Sequence, residues 1–561
     1  MPTIWNWIGV VTALVSTALA SDGCYCLPSE SCWPSESTWS AFNATVGGQL
    51  VATVPIGHPC HDPYYDEEAC TALQDVWYLP QTHIVSSSSV MQTYFANQSC
   101  DPFTAESTPC VLGNYVAYAV NVSSSSDVVA AIEFAQENNI RFVIRNTGHD
   151  YFGRSTGAGA LSVWTHYLSD IEYLEWSDST YSGPVLKMGA GVMGYQALET
   201  AADEGLVVVT GECPTVGIAG GYTQGGGHSA LSTVFGLAAD QVLQFEVVIA
   251  NGTVVNATRA ENADLYWALC GGGAGNYGVV LSMTVKAYKD TMVSGALLEF
   301  AAAYTTIDAF YEAITQFHAL LPAMLNAGVT VIYEITSETF VITPVTAYNQ
   351  TEDDVKAILA PFTTVLTNLS IPYDATYTSF SSYIDHYNTY MGPLPYGNID
   401  VEDYQYGGRL IPREVLENNS TEFVAVLRNL TENGVTLVGV GLDVSSNVTN
   451  AVLPSWRTSA VTMQLVTPWN ETAPWSQMVA NQFRMTDEFV PQIEGITPGA
   501  GCYMNEADFR QPNWQETFFG SNYDALLSIK NVWDPEYFFY GLNAVGSEYW
   551  TVTESGLMCK T

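Results

Sequence analysis

Basic residues are scarce in this chain. Lys and Arg total 16 against 57 Asp and Glu, a formal net charge of −41 over 561 residues. That surface repels polyanions, which excludes nucleic acid and an anionic membrane as partners. Histidine is also sparse: the 8 present show no ligand spacing, so no metal site is expected. Beyond residue 20 no apolar run approaches the ~20 residues of a spanning helix, and no internal repeat is visible. Charged residues make up only 13% and hydrophobic residues 47%, which is ample material for a core and excludes global disorder.

What is present begins with a targeting pattern. Residues 5–20 are mostly apolar and end on Ala18-Leu19-Ala20, though no Lys or Arg precedes them. This reads as a secretory signal over 1–20, cleaved after Ala20. Asn-x-Ser/Thr sequons recur, among them Asn43, Asn97, Asn121, Asn349, Asn368, Asn429 and Asn470. They suit a secreted glycoprotein, with a vacuolar or other lumenal end point as the alternative. The 11 cysteines suit an oxidising compartment. Their odd number leaves at least one without a cysteine partner unless a bridge runs between chains. Cys24-Tyr25-Cys26 lacks metal-finger spacing, and disulfides are the better reading there.

Length alone suggests about three domain-sized units. Residues 21–112 form a Cys-, Ser-, Thr- and Pro-rich lead segment. From 113 to 289 strands and helices mix. Ser126 or Asp127 is placed to cap a helix with apolar positions Val128, Val129, Ile132, Phe134 and Ala135. Strand-like runs fall at 141–145, 185–188, 207–209, 242–249 and 279–285, with a helix at 195–203, giving an α+β fold class. Residues 290–500 have fewer glycines, helical stretches at 307–321 and at 353–360 ending at Pro361, and many tyrosines, and read as a second, substrate domain. Residues 501–561 regain tight motifs and are expected to return to the first domain.

Several motifs carry chemical possibilities. The loop Asn146-Thr147-Gly148-His149-Asp150-Tyr151-Phe152-Gly153-Arg154-Ser155-Thr156-Gly157 follows a strand. Glycines there let backbone N–H groups approach a phosphate, or simply make a tight turn. Gly273-Ala274-Gly275-Asn276-Tyr277-Gly278 matches the dinucleotide fingerprint literally but precedes a strand instead of opening a helix, so a Rossmann site is not expected. Gly227-His228-Ser229-Ala230-Leu231 lacks the last glycine of a nucleophile elbow and the strand before it, so a serine hydrolase is not expected either. The tyrosines Tyr383, Tyr387, Tyr390, Tyr404 and Tyr406 suit either packing or the stacking of a sugar or apolar alcohol.

Taken together, Arg145-Asn-Thr-Gly-His149-Asp-Tyr, Gly211-Glu-Cys213-Pro-Thr-Val-Gly217, Gly220-Gly-Tyr-Thr-Gln-Gly-Gly-Gly-His-Ser229 and Asp264-Leu-Tyr-Trp-Ala-Leu-Cys-Gly-Gly-Gly resemble a known family. It is that of the FAD-linked oxidases of the p-cresol-methylhydroxylase/vanillyl-alcohol-oxidase fold, in their berberine-bridge-enzyme-like branch. Within that branch the loop around His149 and the tail look like secreted fungal alcohol oxidases of the isoamyl-alcohol-oxidase type. The resemblance covers about 115–290 and 501–545, is loose over 290–500 and is absent before about 110. It implies a two-part FAD-binding domain with an inserted α+β substrate domain. It implies FAD bonded at His149, through the flavin 8α-methyl carbon, and at Cys213, through flavin C6. Removing Cys213 would leave ten cysteines available for pairing. Gly148, Gly153, Ser155 and Gly157 would cradle the diphosphate. Val216, Gly217, Gly220, Gly221 and Val279 would line the flavin.

The tail motif Tyr503-Met504-Asn505-Glu506-Ala507-Asp508 lies beside flavin and substrate in the family. Oligosaccharide-oxidising relatives have a tyrosine base where this chain has Glu506. Glu506 is then either a general base or a structural carboxylate paired with a donor. Tyr503 and Asn505 are expected to contact flavin or substrate. The implied activity is oxidation of a CH–OH group in a small alcohol or sugar, with dioxygen as acceptor. The alternatives are dehydrogenation or oxidation of a secondary-metabolite intermediate or an oligosaccharide, and a flavin-bearing glycoprotein without catalysis. The sequence does not read out the oligomeric state.

Overall fold

The computed structural model describes residues 23–561. The expected signal segment, 1–20, lies outside the described residues. The α+β reading holds, with helices and sheets mixed throughout.

The first sheet has four strands in the order Leu50–Ala52, Tyr118–Asn121, Leu161–Trp164, Phe142–Arg145. The last three run parallel. Parallel neighbours need a crossover, and the helix Ser125–Glu137 provides it. Its cap is Ser124 and not Ser126 or Asp127: Asp127 instead sits three residues into the helix and accepts the Ser124 N–H, closing a capping box. The helix buries Val128, Ala131, Ile132 and Ala135 against this sheet.

The lead segment is part of this unit. Its helix Glu36–Thr45 drives Trp39 and Phe42 into the same core, and its strand Leu50–Ala52 pairs antiparallel with Tyr118–Asn121.

A second sheet is antiparallel, in the order Ile171–Ser177, Ser182–Gly189, Val279–Lys286, Val242–Val248, Val254–Thr258. Only two residues, Leu206–Val207, form a strand where 207–209 were expected. The segment from Cys502 to Phe519 packs into one apolar cluster with Leu186, Met188 and Tyr222 of this region.

All seven strands of the third sheet come from residues 293–468. They are antiparallel, in the order Asp374–Phe380, Val293–Ala301, Thr339–Tyr348, Thr330–Ile335, Thr436–Gly441, Ser459–Pro468, Tyr404–Pro412. One face carries Tyr333, Ile335, Phe340, Leu437 and Leu465 into a core with helices Ile307–Asn326, Glu352–Asn368 and Ser420–Glu432. Alternation along each strand sends the intervening residues to the opposite face. Helix Glu352–Asn368 runs straight past Pro361, where an end was expected. Pro361 lies on the exposed face, while Val355, Leu359, Phe362 and Leu366 on either side of it are buried.

Four disulfides join Cys24–Cys559, Cys26–Cys32, Cys60–Cys70 and Cys100–Cys110. Eight cysteines are therefore paired, not ten. Cys270 and Cys502 are single and buried in the apolar cluster, where each acts as a small hydrophobe. Cys213 is the third single cysteine.

Candidate active site

A cavity of about 620 Å³ opens between the glycine-rich loops and the bare face of the seven-stranded sheet. That size suits a cofactor-bearing pocket. Of the sequence-derived candidates, Gly148, His149, Ser155, Cys213, Val216, Gly217, Gly220, Gly221, Tyr503, Asn505 and Glu506 line it.

Three candidates do not. Gly153 abuts the Phe95 ring and Gly157 abuts Arg141, so both shape the loop from behind. Val279 points into the core with Val248 and Ile132. A strand alternates its faces, and it is the next residue, Val280, that reaches the cavity.

The loop after the strand Phe142–Arg145 is held by its own polar groups. Gly148 has φ +92°, and a Cβ there would lie 2.6 Å from the Arg145 guanidinium; no other residue fits. Arg145 is fully buried, and Nη2 donates to the His83 carbonyl. The Asp150 carboxylate accepts the N–H groups of Phe152 and Ser155. The Ser155 amide, expected to cradle phosphate, is therefore already engaged. The cation on this part of the wall is Arg154, whose Nη2 is buried without a partner. Burial lowers its pKa to about 10, so it stays charged at neutral pH. An anionic diphosphate fits that orphaned donor.

His149 and Cys213 come together around one hydroxyl. His149 Nε2 lies 2.8 Å from Thr215 Oγ1, and Cys213 Sγ lies 3.3 Å from the same oxygen. Nδ1 of His149 makes no hydrogen bond to the described residues. Burial, aided by His83 and Arg145, lowers the His149 pKa to about 3, so the imidazole is neutral at working pH. Burial raises the Cys213 pKa against the hydrogen bonds from Thr215.

At the other side of the cavity, His228 stands between two carboxylates. Nε2 is 2.8 Å from Glu506 Oε1, and Nδ1 is 3.5 Å from Glu212 Oε1. Burial alone would lower the imidazole pKa, but the two carboxylates overcome it and raise it to about 10. At neutral pH this is an imidazolium flanked by anions. Glu506 Oε2 is buried and has no partner. Tyr503 and Asn505 are tied together: Asn505 Nδ2 donates to the Tyr503 hydroxyl at 2.8 Å and to the Gly221 carbonyl at 2.7 Å. Burial raises the Tyr503 phenol pKa well above its usual value, so it is neutral.

Sequence reading passed over His228, Glu212 and Arg154. In the sequence the Gly-His-Ser motif reads as an incomplete nucleophile elbow and as part of the family resemblance, and neither singles out His228. Ser229 is in fact fully buried, and it is the histidine beside it that faces the cavity. Of the tyrosines, Tyr404 and Tyr406 line the cavity. Tyr406 stacks on Tyr151 with ring centroids 3.8 Å apart. Tyr383 and Tyr387 are core residues, and the Tyr387 hydroxyl donates to the Gly211 and Glu212 carbonyls. Among the described residues, the one cluster with metal-ligand proximity is Cys26, Glu30 and Cys32, and its two sulfurs are joined in a disulfide.

A cavity with an orphaned cation for a diphosphate at one end and an ion-paired carboxylate at the other belongs to a flavin-dependent oxidoreductase. Comparison with known proteins gives the family. A model described as an FAD binding domain matches residues 116–258, and one described as berberine and berberine like matches 502–545. The FAD-linked oxidoreductase ZEB1 of Gibberella zeae is 52% identical over 561 residues, covering 99% of each chain. The FAD-linked oxidoreductase patO of Aspergillus clavatus is 48% identical over 541 residues, 96% of this chain and 94% of that one. The crystal structure of the VAO-type flavoprotein MtVAO615 from Myceliophthora thermophila C1 superposes with a TM-score of 0.93 at 39% identity, covering 96% of this chain and 100% of that one. The chain belongs to the VAO-type, berberine-bridge-enzyme-like FAD-linked oxidoreductases. It is an enzyme, which removes the reading of a glycoprotein without catalysis.

Proposed function

We propose that the enzyme oxidises a CH–OH group of a small alcohol or sugar, with Glu506 taking the hydroxyl proton. The observation that carries this is the buried, unpartnered Oε2 of a carboxylate whose other oxygen is fixed by His228 at 2.8 Å. FAD, when bound, supplies the two-electron acceptor for the carbinol hydride, and dioxygen is the final acceptor, giving hydrogen peroxide. His149 Nδ1 and Cys213 Sγ hold the flavin ring by two bonds; the Thr215 hydroxyl that both approach supports this pairing. Two tethers remove orientational freedom before the reaction. Arg154 takes the diphosphate charge.

A substrate hydroxyl donating to Glu506 Oε2 leaves its proton there. The His228 cation, 2.8 Å from Glu506 Oε1, stabilises the negative charge that develops on the substrate oxygen. The four disulfides, with the apolar residues 5–20 and the sequons, support a secreted enzyme working in an oxidising and acidic medium.

The test is Glu506→Gln. It keeps the hydrogen bond to His228 and removes the proton acceptor. Flavin content should be unchanged, and flavin reduction by an alcohol, followed by stopped flow, should slow at least ~100-fold. Reduction at the native rate would remove Glu506 from the mechanism. Oxygen uptake during turnover separates an oxidase from an enzyme that uses another acceptor.

A further inference from the structure

The seven-stranded sheet meets the cavity as an ordered ladder. Directly paired residues share a face. Gly408 pairs with Gln464, Gln464 with Val438, and Val438 with Glu334. Gln464, Val438 and Glu334 all line the cavity. At Gly408 the sheet touches the Glu506 segment, for a Cβ there would lie 2.0 Å from the Glu506 carbonyl oxygen. The ladder thus starts at the proton acceptor and crosses three strand spacings, about 14 Å, to end at Glu334.

The chemistry changes along this row. Beside Glu506 stands the amide of Gln464. The middle holds Val438 and, two residues along the strand from Gln464, Val466, whose pair partner Thr436 adds one hydroxyl to an otherwise apolar stretch. At the far end the Glu334 carboxylate has no hydrogen-bond or ion-pair partner among the described residues. The cations that line the cavity are Arg154 and His228, neither of them ion-paired with Glu334, and no lysine lines it. Glu334 is an exposed residue at this end of the cavity, and partial desolvation of its carboxyl raises its pKa.

We infer that Glu334 is a specificity-determining residue that recognises a hydrogen-bond donor, a hydroxyl or an ammonium group, at the end of an elongated substrate opposite its reacting carbinol. The substrate class is an alcohol carrying a second donor across roughly 10 Å of largely apolar framework, the ladder span less the reach of one side chain. Anionic substrates are disfavoured by the same carboxylate. This rests on the proposed oxidation at Glu506 and adds the substrate's length and polarity to it.

The experiment uses the holoenzyme with three linear eight-carbon probes: a diol hydroxylated at both ends, an amino alcohol, and a monoalcohol ending in methyl. The native enzyme should favour the first two over the third by about tenfold or more in kcat/KM, mostly through KM, as expected for a hydrogen bond to a charged group. Glu334→Leu should collapse that ratio. Glu334→Gln, which keeps an acceptor but no charge, should restore preference for the diol and not for the amino alcohol. A loss of structure would lower all three probes together and leave the ratios in place. Identical ratios in the native enzyme and Glu334→Leu would overturn the inference while leaving Glu506 untouched. If no probe reduces the flavin, the oxidation reading fails instead, and the inference is judged by titrating the diol against flavin absorbance. Weaker binding in Glu334→Leu supports it, and equal binding overturns it.

Discussion

At the scale of single residues, the site is organised by groups that neither bond the flavin nor face the substrate carbon. Thr215 is the clearest case. Its hydroxyl engages His149 Nε2 and Cys213 Sγ at once. Thr215→Val keeps the shape and removes both contacts. The proposed double linkage of the flavin should fall severalfold, with singly linked species in its place. Acid precipitation followed by mass mapping of the His149 and Cys213 peptides reads this directly; unchanged double linkage would show that the hydroxyl is dispensable. The sequence pointed to His149 and Cys213 because each sits in a short local motif that carries the family resemblance, and the structure places both around the Thr215 hydroxyl. The sequence could not reveal that His228 meets Glu506 across 278 residues, since that contact exists only after two distant segments fold together. Likewise, Arg154 looked like one more residue of a glycine loop. Only the burial of its unpartnered Nη2 marks it as an anion donor.

Among the elements, local patterns predicted kinds better than edges. The helix Ser125–Glu137 was legible from its apolar spacing, but two serines and an aspartate compete for its cap. The capping box decides for Ser124 by pairing it with Asp127. Pro361 does not end its helix because Val355 and Leu359 before it and Phe362 and Leu366 after it are all buried, and that packing offsets the cost of the proline. The strand Tyr404–Pro412 shows an element serving the site through a residue with no side chain. Gly408 lets the Glu506 carbonyl lie against the sheet. Gly408→Ala must push the tail segment outward and shift Glu506 away from substrate. A displacement of about 1 Å can lower the rate on the order of a hundredfold. We therefore expect retained flavin and a kcat/KM lower by about tenfold or more, measured beside the thermal midpoint; an unaltered kcat/KM would show that the contact is slack.

Over the whole molecule, buried acids set the response to pH. Asp101 of the lead segment, Glu402 and Asp403 beside the cavity wall, and Glu471 after the last sheet strand converge near Trp77 and Tyr115. Burial, reinforced by their mutual repulsion, raises Glu402 far above its usual value, Glu471 to about 9 and Asp403 to about 6. A carboxyl whose folded pKa is raised contributes its full stability below its unfolded pKa, near 4, and loses it as pH rises through the folded value. His228 has the same sign, with its contribution full below about 6.5 and lost toward 10. The thermal midpoint should fall steadily between about pH 5 and pH 9. Glu471→Gln should flatten the slope by removing one of these acids. A midpoint independent of pH in that window would contradict the burial of the cluster. The net charge of −41 pulls in the same direction, since protonation relieves self-repulsion.

The bridge between Cys24 and Cys559 also turns residues 24–559 into a covalent ring. A ring tolerates one cut. If a protease nicks a surface loop of this chain, the two pieces remain a single molecule until a reductant reaches the bridge, so damage would go unseen on a gel run without thiol. The same closure makes the sequence re-cuttable by design. Cys24 and Cys559 already meet, so a gene that joins the segments beside them by a short linker and opens elsewhere, in an exposed turn such as that at Gly434, would encode the same ring entered from another point.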